Sequence, residues 1–314
     1  MAKGSFEASA PGKVILLGEH FVVFGKPALV MALDRRARVR VKLLELQADN
    51  IKVHSLNIPN ASPAELQPIK EAAIKAMEFL GLRKGLEITV NSDIPISAGL
   101  GSSAAVSVAT IAAVGGLFGV RFTKEDLCRL ALEAERLVHK NPSGIDPTIA
   151  TYGGILLFEK GKPPEPVKLD LDFQLIIGNT GIARSTGEMV AKVGLLQLYY
   201  PEIFESLLEG VHRLVLEALE ALRASDLEGL GRLFNVNHGL LSAIGVSDIS
   251  LERLVYAARA AGAFGAKLTG GGGGGCMIAL AEAGRLDQVV QAIRKAGGEA
   301  FIAAPSERGV MLEA

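Results

Sequence analysis

The strongest constraint on the fold lies at residues 95–105, Pro-Ile-Ser-Ala-Gly-Leu-Gly-Ser-Ser-Ala-Ala, a loop that runs without a break into the apolar segment 104–120. A run of small apolar residues of that length reads as a buried helix, so the loop is held between it and the alternating strand predicted over 86–91. Gly99 and Gly101 permit backbone conformations and close approaches that a β-carbon blocks. Ser102 and Ser103 bring hydroxyls to a helix N-terminus, where N–H groups lack intrahelical partners and the dipole favours an anion by roughly 0.3–2 kcal/mol. The pattern reads as a phosphate cradle, with a tightly packed connection as the plain alternative. A dinucleotide loop is the sharper rival, because Gly99, Gly101 and Ala104 have its spacing. That motif sets its first glycine directly after a strand, whereas residues 94–98, with Pro95 among them, intervene here. No Gly-Lys-Ser/Thr follows, so the Walker pattern does not fit.

With 314 residues, 49% of them hydrophobic, the chain can bury a large core and is long enough for two lobes. Lys and Arg total 33 against 34 Asp and Glu, so no overall field steers it onto nucleic acid or an anionic membrane. Cys128 and Cys276 stand far apart in apolar sequence, with neither disulfide nor zinc spacing. The N-terminus has no signal-like apolar run, and the expected setting is cytoplasmic. Segment 104–120 is short, rich in Ala and Gly, and led by serines, which argues against a membrane span.

Strands are predicted at 6–8, 14–17 and 28–33, followed by a run in which Val39, Val41 and Leu43 alternate with Arg38, Arg40 and Lys42. Between the early strands, residues 11–20, Pro-Gly-Lys-Val-Ile-Leu-Leu-Gly-Glu-His, bring Lys13, Glu19 and His20 to the two ends of a short apolar strand. Ser62-Pro-Ala-Glu65 is a capping box opening a helix that stops at Gly81. Thr123 caps another helix, whose apolar stripe runs to Val138 with Glu135 beside it. That helix ends in Lys140-Asn-Pro-Ser-Gly-Ile-Asp146-Pro, a turn stiffened by two prolines. A strand at 153–159 precedes the proline-dense stretch 161–166, which sets the expected domain boundary: residues 1–162 form an N-terminal lobe and 163–314 a C-terminal one.

In the second half, a strand at 173–178 leads to a polar loop, 179–186, and helices are predicted at 203–222, 227–234 and 251–261. Then comes Lys267-Leu-Thr followed by six glycines and Cys276. Each interior glycine costs roughly 0.5–1 kcal/mol of extra chain entropy, so close backbone packing or a ligand must offset the run. A last helix over 286–296 and strands at 300–303 and 309–312 complete an α+β lobe. His54, His212 and His238 are read as structural.

Three separated segments share one explanation. Residues 11–20, residues 95–105 and the glycine run at 270–275 resemble the three motifs of the GHMP kinase superfamily: Pro-x-Gly-Lys/Arg with a Gly-Glu-His ending, Pro-x-x-x-Gly-Leu-Gly-Ser-Ser-Ala, and a Lys-x-Thr-Gly-rich loop. Within it, residues 11–26, 135–146 and 267–276 look most like the mevalonate kinase family. Galactokinases carry Thr-Asp-Tyr after Glu-His, where this chain has Phe-Val-Val-Phe-Gly, and homoserine kinases lack an acid matching Asp146.

The resemblance implies an α+β, two-lobed fold, ribosomal-protein-S5-like first and ferredoxin-like second, with ATP and substrate in the cleft between. It implies that Asp146 is the general base and that Lys13 orients it. Pro95, Gly99, Leu100, Gly101, Ser102, Ser103 and Ala104 would cradle ATP, with Ser103 and Glu135 as Mg2+ ligands. Glu19, His20, Thr186, Gly271 and Gly272 would lie at the substrate, mevalonate, and a homodimer is expected by the same analogy. A relative acting on another hydroxyl, or a non-catalytic regulator on the same fold, are the alternatives.

Overall fold

The computed structural model describes residues 4–44, 50–95, 98–136, 142–169, 172–182 and 186–313. Its first sheet is built on two long strands, β1 (Ser5–Leu17) and β2 (Ala28–Leu44), which pair antiparallel along nearly their whole length. The three short strands and the alternating run expected over this stretch are therefore two long strands. Pro11 and Gly12 interrupt the ladder only as a register shift between Pro11 and Lys13, a local bulge that bends a strand without ending it. The sheet continues through β4 (Gly85–Ser92) to β3 (Ile51–Ser55), which pairs parallel with β4. The other end of β2 carries β5 (Ile155–Phe158) and then β6 (Glu165–Val167).

Three helices cover one face. α1 (Pro63–Leu80) starts at the Ser62/Glu65 capping box and ends at Gly81 in the left-handed region. α2 (Ser102–Leu117) is buried almost all round, as its composition requires. Its small residues let neighbours close in: a β-carbon on Gly116 would fall 2.3 Å from the Phe6 ring. α3 (Lys124–Arg136) carries the stripe Leu127, Leu130, Ala131 and Ala134; the remainder of that stripe, Leu137 and Val138, lies outside the described residues. α4 (Ile145–Tyr152) begins inside what the sequence suggested was only a turn, with Gly144 at φ 84° as its N-cap. Asp146 thus sits in the first turn of a helix, where a negative charge is favoured.

The second sheet contains β7 (Leu175–Asn179), β8 (Gly265–Leu268), β9 (Cys276–Leu280) and β10 (Glu299–Ala303) in the order β10-β7-β9-β8. Numbered along the chain this reads 4-1-3-2, all antiparallel, which is the ferredoxin-like arrangement. Its helices are α5 (Thr186–Tyr199), α6 (Pro201–Arg223), α7 (Leu227–Ala243), α8 (Ile249–Ala260) and α9 (Leu286–Lys295). The polar loop expected at 179–186 gives way to α5 at Thr186.

Two placements differ from the sequence reading. The terminal strand, β11 (Met311–Glu313), pairs with β1 and so belongs to the first sheet. The cut expected at 162/163 falls inside the β5–β6 hairpin. Arg36 on β2 secures the returning chain from a buried position: its guanidinium donates to Ser9 Oγ (3.0 Å), Arg308 O (3.0 Å) and Gly309 O (2.6 Å). Burial pulls its pKa down, with Glu313 opposing. Arg36→Ala strands these acceptors and is expected to cost about 3 kcal/mol, read as a lowered melting temperature in calorimetry. An unchanged melting temperature would contradict that anchoring role.

No helix among the described residues is long and apolar enough to cross a membrane.

Candidate active site

The loop before α2 and the first turn of α4 meet over β1. Gly99 (φ 75°) and Gly101 (φ 74°) both adopt left-handed backbone conformations, so each needs glycine for a stated reason. Lys13 is clamped against them: its backbone N–H donates to Leu100 O at 2.8 Å and its Nζ reaches Gly99 O at 3.3 Å. The same Nζ lies 3.2 Å from Asp146 Oδ1. Lys13 is buried while Asp146 is part-exposed, so the cation is fixed and the carboxylate faces the cleft.

A cavity of about 420 Å3 opens beside this pair, walled by Gly99, Gly101, Ser102, Ser103, Ala104, Glu135 and Asp146 and continued by Ser55, Asn57 and Ile58 at the end of β3 and just after it. The sequence did not single out that far wall, because β3 carries no motif. Pro95 and Leu100 do not line the cavity; the Leu100 side chain is in the core, and only its carbonyl serves the site by receiving Lys13.

Glu135 on the last turn of α3 has a buried Oε2 with no hydrogen-bond partner. Burial first, and then the neighbouring Asp146 charge, push its pKa up to about 8 against the pull of Lys13. A buried carboxylate short of partners beside an exposed hydroxyl, Ser103, is a hard-oxygen donor set that fits a divalent cation. Among the described residues no cluster of three or more His, Cys, Asp or Glu could hold a metal ion.

Across the cleft, the glycine run packs as tightly as its composition demands. A β-carbon on Gly272 (φ 70°) would sit 2.0 Å from Val246 O, and one on Gly274 (φ 111°) 2.9 Å from Ile182 O. The run also bonds the other lobe. Thr269 Oγ1 donates to Ile15 O and accepts from Ile15 N–H, both at 3.0 Å, and His20 Nε2 meets Gly271 O at 3.0 Å. His20 itself is strained: at φ 63° and ψ −46°, with Phe21 N–H bonded to Glu19 O at 2.7 Å, it is the centre of a classic-type γ-turn. Such a conformation in a non-glycine residue costs on the order of 1–3 kcal/mol and persists only where surroundings impose it.

Glu19, expected at the substrate, is placed differently. It is fully buried, with Oε1 paired to Lys267 Nζ and Oε2 accepting from Asn237 Nδ2 at 2.9 Å. Its carboxylate is engaged on both oxygens by residues of the second lobe. Burial pulls the Lys267 pKa down while Glu19 opposes. Asn237 carried no motif and was not foreseen. Neighbouring His238 is structural as read: Nδ1 accepts from Leu268 N–H at 3.2 Å and Nε2 pairs with Glu252. Thr186 opens α5, and nothing is described of its side chain; His139, Lys140, Asn141 and Arg184 lie outside the described residues.

Gly101 offers a direct check on this geometry. An alanine there must hold φ 74° and put its β-carbon 2.8 Å from Lys13 Cγ. The expected result for Gly101→Ala is a loss of turnover of roughly 10 to 100-fold, since small displacements of positioned groups are costly. Wild-type turnover in a folded variant would mean that Lys13 placement is unimportant.

Comparison with known proteins agrees with this geometry. The profile "GHMP kinases N terminal domain" matches residues 68–154 and "GHMP kinases C terminal" matches 218–299. The chain is 43% identical to a mevalonate kinase of Pyrococcus horikoshii over 98% of this chain and 97% of that one, and 42% identical to a mevalonate kinase of Thermococcus sibiricus over 98% of each. Among solved structures it is similar to L. major mevalonate kinase in complex with R-mevalonate, with TM-score 0.88 and 29% identity over 98% of this chain and 99% of that one. Methanococcus jannaschii mevalonate kinase superposes with TM-score 0.84 at 28% identity over 96% and 98%. With both family halves matched in order, and full-length relatives at this identity, the chain belongs to the GHMP kinase superfamily, in its mevalonate kinase family.

Proposed function

We infer that the chain transfers the γ-phosphate of ATP to the 5-hydroxyl of mevalonate, giving 5-phosphomevalonate and ADP for isoprenoid synthesis. One observation carries the chemistry: Lys13 Nζ stands 3.2 Å from Asp146 Oδ1 at the rim of the Gly99–Gly101 cradle. Phosphoryl transfer asks a protein for placement and charge neutralisation more than for covalent help. Asp146 takes the hydroxyl proton as the new oxygen–phosphorus bond forms and the bond to the β–γ bridging oxygen breaks. Lys13 holds that carboxylate in line and presents positive charge to the phosphate. Backbone N–H groups at the start of α2 receive the triphosphate oxygens.

Glu135 and Ser103 would hold Mg2+, which supplies charge neutralisation to the phosphates when bound. His20, Gly271, Gly272 and Thr186 are assigned to the acceptor side of the cleft. Glu19 is assigned to the seam between the lobes, because both carboxylate oxygens are already engaged. A cytoplasmic homodimer is our reading of its setting. Exposed Leu198, Tyr199, Tyr200 and Ile203 at the α5–α6 corner support self-association, and a chain with only Cys128 and Cys276, far apart in sequence, suits a reducing compartment.

A phosphorylation screen with ATP over mevalonate, phosphomevalonate, galactose and homoserine tests the reading, with the product position assigned by phosphorus NMR. Mevalonate should be consumed fastest, with phosphate on the primary 5-oxygen. Faster use of another acceptor, phosphate on the tertiary 3-oxygen, or no ATP consumption would each sink it.

A further inference from the structure

The strained turn at His20 closes on its own backbone through Phe21 N–H to Glu19 O, and it is also gripped from outside its segment. Every side-chain bond described above for Glu19 and His20 comes from the second lobe. Lys267 Nζ and Asn237 Nδ2 take one carboxylate oxygen of Glu19 each, and Lys267 also donates to Leu268 O at 2.7 Å. Two residues on from Lys267, Thr269 bonds both backbone groups of Ile15; two further, Gly271 receives His20. Residues 267–271 thus grip the end of the strand that carries Lys13. Behind them, Phe24 packs edge-on against Phe204 of α6, with ring centroids 4.9 Å apart.

Apolar contact alone would join the lobes but would not set a torsion angle, because it has no direction. Charge-assisted hydrogen bonds do have direction. A buried ion pair also adds little stability over apolar residues of similar size. Glu19 and Lys267 are both fully buried, so their pairing is best understood through the geometry it imposes.

We propose that Lys267 is a positioning residue for phosphoryl transfer: by holding Glu19 from the opposite lobe it fixes the γ-turn at His20 and so sets the imidazole wall of the acceptor site. The acceptor-site part rests on the function inferred above; the clamp itself does not. Lys267 is fully buried, so in this proposal it acts through Glu19 and not by contact with a ligand. The prediction is specific to one substrate, because none of the clamp residues lines the ATP cradle.

Lys267→Met alone leaves Glu19 buried without a counter-charge and is expected to fold poorly. Glu19→Gln/Lys267→Met removes both charges at nearly constant volume and is the informative variant. The full-length double variant should melt close to wild type. Its KM for mevalonate should rise at least ~10-fold with the KM for ATP within about twofold. In 15N-histidine spectra without substrate, the His20 Nε2 resonance should move toward that of an unbonded imidazole. A folded double variant with unchanged mevalonate KM and an unmoved His20 resonance overturns the proposal. A double variant that fails to fold overturns it as well, since the pair would then be a stability element. Should the wild type not phosphorylate mevalonate, the function is wrong, while the His20 resonance still tests the clamp.

Discussion

Asp146→Asn is expected to lower turnover by roughly 10² or more while the KM for ATP changes only a few-fold. Asparagine has the shape of aspartate, so the cavity and the first turn of α4 are retained. It cannot accept the proton of an attacking hydroxyl, and it replaces the charged partner 3.2 Å from Lys13 with a neutral one. Lys13 keeps its bonds to the Gly99 and Leu100 region, which is why nucleotide binding should survive. Steady-state kinetics by a coupled ADP assay, with calorimetry to show that the variant folds, separate the two effects. Near-normal turnover in a folded variant would remove Asp146 from the chemistry.

Glu135→Gln should move stability and activity in opposite directions. Burial and the Asp146 charge raise the Glu135 pKa from 4.5 to about 8, so the folded state prefers the protonated acid. For a carboxyl raised on folding, the favourable contribution is complete below the ordinary pKa and is lost as pH rises through the folded one. The wild type without nucleotide or metal should therefore weaken between about pH 5 and 8 through this group, and glutamine, which does not titrate, should not. The variant's melting temperature should exceed that of wild type by a margin that grows up to about pH 8 and then levels. Activity should fall by roughly 10² with a raised Mg2+ requirement, because a hard anionic ligand is gone. A pH-independent difference in melting temperature would refute the buried-charge account, and an unchanged Mg2+ dependence would take Glu135 out of the metal site.

The two variants probe different parts of one arrangement. In the proposed mechanism Asp146 acts at the acceptor oxygen and Glu135 at the phosphate charge, and the Lys13 ammonium interacts electrostatically with both. Their effects should not add, since each alters the field felt by the other.

Much of this was written in local sequence. The capping box at Ser62 and Glu65, the buried helix after Ser103 and the glycine demand at Gly99 and Gly101 are consequences of neighbours within a few residues. Chain-local physics decides them: hydrogen bonds across one helical turn, side-chain alternation on a strand, and the missing β-carbon. The cradle, Lys13, Glu135 and Asp146 were legible because each lies in a motif whose residue types suit phosphate or metal chemistry. Three features were decided only by tertiary structure. β11 belongs to the first sheet because it pairs with β1 from the opposite end of the chain, and a three-residue edge strand has no signal that names its partner. Glu19 is engaged by the second lobe because Lys267 and Asn237, distant in sequence, converge on it. The raised pKa of Glu135 depends on burial and on Asp146, neither of which exists until the lobe has folded. Sequence by itself determined which groups are present and which turns they can make; only the packing of two lobes decided which charge meets which, because ion pairing and desolvation depend on distance in space.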